Sequence, residues 1–162
     1  MGINTSGVCA RLQPLAHRLT EEVLMNDHPN VALMRRIFAW FNSLSSPDTP
    51  LQRSDVELFF TADARMITNG QLKCTGTEAF LQHFEEIRGK LLEFQVQPLQ
   101  HSVADDSQVA AVYDIHYRLA PPGLKKGRIH ACVLWSIEQG RVAKLNEWVY
   151  YDGETLRLDN IS

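Results

Sequence analysis

Apolar positions recur along the chain first at helical spacing and later at strand spacing. Leu15, Leu19 and Val23 predict a short amphipathic helix over residues 15–25. Asp27-His28-Pro29 then reads as a stop and a new start, because proline is tolerated in a first helical turn. The segment NVALMRRIFAWFNSL carries the clearest helical stripe. Met34, Ile37, Phe38, Phe41 and Leu44 line one face, and Leu33 and Trp40 widen it. Residues 45–50 have loop chemistry. Ser54-Asp55-Val56-Glu57 has the form of a capping box and predicts a short helix after it. Residues 63–69 alternate and end at Asn69-Gly70, a hairpin signal, with 71–74 as the returning strand. Phe80, Phe84 and Ile87 predict a helix over 77–88, with Gly89 as its C-cap. Strands follow at 91–103, 109–119, 128–138 and 142–151, separated by turns at 105–107, 121–123 and 139–140.

Helices first, then one hairpin, one helix and a long meander, is an α+β order with helices packed on one face of a sheet. A strongly bent sheet of this kind makes a cone-shaped barrel with a cavity at its mouth. The expected organisation is an N-terminal extension over 1–26 with a short helix, a cone-shaped domain over 27–155 and a C-terminal tail over 156–162. A length of 162 residues suits one such domain. Charge narrows the partners: 16 basic against 19 acidic residues gives a net charge of −3, without the basic face a nucleic-acid partner needs. Cys9, Cys74 and Cys132 form no Cys-x-x-Cys pair and are odd in number, which argues against a disulfide scaffold or a four-cysteine zinc site. Cys74 and Cys132 read most simply as small buried hydrophobes. The N-terminus has no signal-peptide core, and the longest apolar run, 131–135, is far too short to span a membrane. A cytoplasmic, reduced compartment is expected. Met1-Gly2 with Ser6 fits the loose myristoylation pattern, and an ordinary tail is the simpler reading. No nucleotide-binding glycine pattern and no nucleophile motif is present, so no cofactor is expected.

Four stretches carry a family resemblance. They are Phe59-Phe60-Thr61-Ala62-Asp63-Ala64 before the first strand and Thr75-Gly76-Thr77-Glu78-Ala79 before the helix at 77–88. Pro121-Pro122-Gly123 with Lys125, Lys126 and Arg128 is the third. Gly140-Arg141-Val142 with Glu147-Trp148-Val149-Tyr150-Tyr151-Asp152 in the last strand is the fourth. Over about residues 31–152 the chain resembles the nuclear-transport-factor-2-like superfamily, and within it the SnoaL-like, polyketide-cyclase-like proteins. The resemblance implies a cone with a deep pocket for a small apolar or ring-containing ligand, and a homodimer through the outer sheet face. It also implies catalytic candidates. The isomerases' general base falls near Thr68 and their oxyanion acid near Cys132, and neither position keeps that chemistry. The epoxide hydrolases' ionisable set falls on Asp114, His116 and Glu147. The cyclases' late acid falls on Glu147 or Asp152. The lining positions are Trp40, Met66, Thr68, Ala131, Val133, Trp135, Val149, Tyr151 and Asp152. Fold alone does not select a reaction.

The residues leave one choice open. Asp114, His116 and Arg118 share one strand face, and Ile115, Tyr117 and Leu119 share the other. In one register Asp114 and His116 turn toward a cavity lined by Ala131, Val133 and Trp135. There a His116 base and a Glu147 acid could serve isomerisation, cyclisation, dehydration or hydrolysis. In the other register they join His130 and Cys132 on the outer face, where a metal site or a dimer interface is conceivable. A non-catalytic ligand-binding or protein-interaction module of the same fold is the alternative function. His17, His28, His83 and His101 have no partner legible in the sequence, and the aromatic set Trp40, Phe41, Phe59, Phe60, Phe80 and Phe84 reads as core.

Overall fold

A computed structural model describes residues 28–152 apart from 47, 123 and 124. The expected N-terminal helix, the myristoylation pattern and the tail over 156–162 lie outside the described residues. The order is α1 (Pro29–Ser43), α2 (Arg53–Phe59), β1 (Phe60–Thr68), β2 (Gln71–Thr75), α3 (Thr77–Lys90), β3 (Leu91–Val96), β4 (His101–Ala104), β5 (Gln108–Leu119), β6 (Lys126–Glu138) and β7 (Arg141–Asp152).

α1 forms where the apolar stripe demands it. Val31, Met34, Ile37 and Phe38 are buried at helical spacing, with Pro29 in the first turn. His28 is the N-cap, and its Nδ1 accepts from Asn30 N–H at 3.2 Å. Two asparagines fasten the helix across the sheet. Asn30 Nδ2 donates to Asp105 O at 2.7 Å. Asn42 Nδ2 donates to Val96 O at 3.0 Å while its Oδ1 accepts from Val96 N–H at 2.7 Å. α2 exists, but Ser54 does not cap it. The N-cap is Gln52, and Glu57 is drawn instead to Arg53 at 2.7 Å. α3 runs through Gly89 to Lys90, so that glycine is not its C-cap. Leu91 leaves directly into extended backbone, and no left-handed turn is needed.

The sheet has the order β2-β1-β7-β6-β5-β3, with β4 also on β5. β1 and β7 run parallel and the other pairs antiparallel, so the sheet is mixed. The expected strand over 91–103 is two strands, because Pro98 supplies no N–H to a ladder; the chain bulges there while Gln97 N–H and Gln100 N–H still donate to Asp114 O and Val112 O of β5 at 2.8 and 3.0 Å. β1 begins at Phe60 rather than at residue 63. Asn69-Gly70 and Gln139-Gly140 both take left-handed φ (51° and 79°, 51° and 73°), as two-residue hairpin turns require. At the third turn Asp105 Oδ1 accepts from Ser107 N–H and Gln108 N–H at 2.7 and 2.8 Å, which holds its carboxyl below its ordinary range.

The sheet curls into a strongly bent half-barrel around the three described helices. Its core joins Met34, Ile37 and Phe38 of α1 to Trp135 of β6 and Leu145 of β7. The same core includes a set of rings, Phe59, Phe60, Phe80 and Phe84 with Trp40 and Phe41 packed against them, that joins α1, α2, α3 and β1 with centroids 4.9–6.4 Å apart. That spacing is characteristic of a packed aromatic core.

Candidate functional site

Register decides what faces inward. Across the concave face, side chains align in rows. The deepest is Val109–Trp135–Leu145–Met66, and the next is Ala111–Val133–Glu147–Thr68. Tyr113–Ala131–Val149, Ile115–Ile129–Tyr151 and Tyr117–Gly127 follow, and the buried Leu119 lies beyond Tyr117 on the same face of β5. The first row is fully buried except for the nearly buried Met66, whereas Ile115, Tyr117, Val149 and Tyr151 are only half-buried. Exposure on the concave face is therefore greater around Ile115, Tyr117, Val149 and Tyr151 than on the deepest row. Glu147 lies on the row between the fully buried one and these half-buried positions.

The Glu147 carboxyl is enclosed by protein although the residue as a whole is only half-buried. Burial pushes its pKa from 4.5 up to about 7, against the opposing pull of its hydrogen bond from Thr68. That bond is long, 3.4 Å from Thr68 Oγ1 to Glu147 Oε2. Two further groups feel the carboxylate. Cys74 is pushed up to about 12, by burial first and by the Glu147 charge second. Tyr113 is raised well above its ordinary value for the same two reasons. Both stay protonated near neutral pH and present neutral S–H and O–H groups beside the carboxyl. A carboxyl with a pKa near the working pH can both give and take a proton.

Asn69 holds the backbone under this site. Its N–H donates to Glu147 O at 2.8 Å. Its side chain accepts from Val149 N–H at 2.9 Å and donates to Val149 O at 3.3 Å. The amide thus continues the parallel β1–β7 ladder past the point where β1 turns away. The sequence marked Asn69 only as a turn residue, and nothing in the sequence pointed to this second use.

The expected partners of Glu147 are on the other face. Asp114 is opposite His130, and its Oδ1 lies 2.7 Å from His130 Nδ1. His116 is opposite Arg128 and exposed. Burial alternates along β5, with Val109, Ala111 and Tyr113 inward, so Asp114 and His116 point outward. A His116–Glu147 acid–base pair across one cavity is thereby corrected. The open register choice resolves to the one that groups the polar residues outside. Asp152 is also outside, 2.7 Å from Arg128, whose guanidinium holds its carboxyl below the ordinary range. His130 Nε2 lies 3.9 Å from the same carboxylate. Of the other expected lining positions, Met66, Thr68, Ala131, Val133, Trp135, Val149 and Tyr151 lie on concave-face rows, whereas Trp40 belongs to the helix-side aromatic cluster. Cys74 is buried, but Cys132 is exposed on the outer face. Among the described residues no three acidic, histidine or cysteine side chains converge on a metal position. None of the described helices is long and apolar enough to cross a membrane. A shallow groove of about 480 Å³ on the outside of the domain lies by Arg53, Glu78 and Arg141, away from Glu147. Its Arg53 is already paired with Glu57 and Glu78.

A mixed sheet curled around helices is the α+β half-barrel fold of the nuclear-transport-factor-2-like proteins, and among the described residues it carries the desolvated Glu147 carboxyl on its concave side. Residues 35–145 match the SnoaL-like domain, and the chain belongs to that family. Solved structures agree on the fold. A provisionally assigned SnoaL-like polyketide cyclase from Jannaschia sp. superposes with a TM-score of 0.62 at 14% identity, covering 75% of this chain and 85% of the other. A provisionally assigned polyketide cyclase from Xanthomonas campestris gives 0.61 at 15% identity, over 76% and 91%. A provisionally assigned ketosteroid isomerase from Kribbella flavida gives 0.58 at 16% identity, over 83% and 87%. No curated protein matches the chain.

Proposed function

We propose that this protein takes a small apolar or ring-containing molecule into the open end of the half-barrel. It acts on that molecule by cofactor-independent general acid–base chemistry through Glu147, as an isomerase, cyclase, dehydratase or hydrolase. The observation that carries this reading is a carboxyl on the concave-face row between Val133 and Thr68, pushed up to about 7 by burial and with no counter-charge among the described residues. Such a group is costly to keep for structure alone and is poised for proton transfer near neutral pH. The cyclase and isomerase assignments of the similar structures favour the same reaction classes.

The test is turnover of a panel of β,γ-unsaturated cyclic ketones and poly-β-ketone esters, followed by absorbance and mass spectrometry. Activity that disappears in Glu147→Gln and persists in His116→Ala supports the reading. Activity lost in His116→Ala and kept in Glu147→Gln overturns it. A non-catalytic binding module is favoured by one observation: the other titratable groups near Glu147, Cys74 and Tyr113, are both held protonated. Ligand binding without turnover of any panel member would support that module. The protein is further proposed to act in the cytoplasm as a homodimer through the outer sheet face. That face exposes Val112, Trp148 and Tyr150.

A further inference from the structure

The groove between the start of α3 and the start of β7 is a place apart from Glu147, and it presents unsatisfied donors. It holds about 480 Å³, a volume usual for a small-molecule site, and is bordered by Arg53, Ala62, Gly76, Thr77, Glu78 and Arg141 among others. α3 begins at Thr77 with Gly76 as its N-cap, and no side chain caps its first amides. The N–H groups of a first helical turn have no partner inside the helix and carry the positive end of its dipole. Glu78, the acid of that turn, is bound to Arg53 instead. Thr77 is only 9% exposed, and the surface it keeps borders the groove. Its hydroxyl has no hydrogen-bond partner among the described residues, an arrangement that costs free energy unless something else meets it. Arg141 stands half-buried on the same groove, with neither an ion pair nor a hydrogen bond among the described residues. The helix start is also fixed in place. Gly76 N–H donates to Ala64 O at 2.9 Å, and at its φ of 81° a Cβ would come 3.3 Å from Ala62 O.

Charge selects the group that these donors would take. Arg53 is divided between Glu57, at 2.7 Å, and Glu78, so both acids of the groove share one cation. Arg141 is left without a counter-ion among the described residues. A cationic ligand would meet Arg141 and the α3 N-terminus with the wrong sign. A dianion such as a phosphate monoester would set its second charge against Glu57 and Glu78. A single carboxylate offsets the Arg141 charge and is an acceptor for a guanidinium fork, a hydroxyl and helix amides alike. We propose that this groove binds a small organic acid, its carboxylate held by Arg141, the Thr77 hydroxyl and the first amides of α3. The site is independent of the acid–base reading of Glu147.

Amide NMR of the full chain at pH 7 tests this with three probes of similar size: butyrate, butyramide and propyl phosphate. Butyrate should move the Thr77, Glu78 and Ala79 amide signals saturably, with a dissociation constant of about 0.1–10 mM. Butyramide should bind at least about tenfold more weakly, because it lacks the charge. Propyl phosphate should bind no tighter than butyrate. Arg141→Gln should weaken butyrate at least about tenfold. Thr77→Val should weaken it about tenfold while Thr77→Ser keeps the wild-type affinity, which separates the hydroxyl from the packing of the side chain. The proposal is overturned by amide signals at 77–79 that stay fixed up to about 50 mM butyrate. Shifts confined to the surroundings of Glu147 overturn it too, as do butyramide binding equal to butyrate and tighter binding of propyl phosphate. Unchanged butyrate affinity in Arg141→Gln or in Thr77→Val has the same meaning.

Discussion

Replacing Glu147 by glutamine removes a titration from the centre of the concave face while keeping side-chain size and the Thr68 hydrogen bond. The folded protein holds the Glu147 proton more tightly than the unfolded chain does, because burial raises the group from 4.5 to about 7. Stability from this source is therefore fully present below pH 4.5. It is lost as pH rises toward 7, and the loss is complete above that. The full displacement corresponds to about 3 kcal/mol, of which about 2.5 kcal/mol falls between pH 5 and pH 8. Urea denaturation of both proteins at pH 5, 6, 7 and 8 reads it out. The wild type should lose about 2.5 kcal/mol more than Glu147→Gln across that range, so the variant is the more stable protein at pH 8. Glu93, Asp105 and Asp152 carry lowered values and act below this window, and their contributions are common to both proteins. His83, lowered by burial, likewise cancels in the difference. Parallel stability curves for the two proteins over pH 5–8 would refute the reasoning, because they would mean that the carboxyl is solvated.

Other perturbations test separate parts of the structure. Asn69→Gly keeps the left-handed turn but removes both side-chain bonds to Val149, and should cost about 1–2 kcal/mol in urea denaturation. Asn69→Ala should cost more, because alanine is also strained at a φ of 51°. Gly127→Ala places a Cβ where the Tyr117 ring and hydroxyl lie, so it should destabilise by about 1–3 kcal/mol. Tyr117→Ala in the same chain should recover most of that loss, and an additive double mutant would contradict the clash. Trp148→Glu on the outer face should turn a dimer into a monomer in light scattering without changing the circular dichroism. A monomeric wild type would remove the dimer proposal.

Most of the element order was legible because periodicity is a consequence of burial. Val31, Met34, Ile37 and Phe38 had to share a side, and they do. Signals at element ends were weaker, because they depend on groups distant in sequence. Ser54 could have capped α2, but Glu57, the residue that would complete a capping box, pairs with Arg53. Gly89 could have ended α3, but the helix leads directly into β3. The faces of β5 were the deepest ambiguity. Asp114-Ile115-His116-Tyr117-Arg118 alternates cleanly, and alternation says which residues travel together without saying which set is inside. The family alignment drew Asp114 and His116 inward. Pairing with β6 set Tyr113 against Ala131 and Asp114 against His130, and the apolar set went in. Glu147 was legible as a candidate, whereas the Asn69 amide beneath it was not, since that contact joins residues 80 apart along the chain.

The contrast between the two faces bears on what Glu147 is for. On the outer face three acidic groups each have a cation or histidine within reach. Asp114 has His130, Asp152 has Arg128, and Glu93 has Arg118. Inside, the Glu147 carboxyl has a single long hydrogen bond and no counter-charge among the described residues. Its row-mates Ala111 and Val133 are 4% and 1% exposed, and at that position an apolar residue would pack without an ionisation penalty. The acid costs the fold about 3 kcal/mol above neutral pH, a sizeable part of the ~5–15 kcal/mol that holds a typical domain together. Asn69 spends three hydrogen bonds fixing the backbone at Glu147 and Val149, so the strand beneath the acid is held in place. Where a fold both bears such a cost and fixes the group that causes it, a role in stability is the weaker explanation. A role in handling a proton or a charged ligand accounts for both.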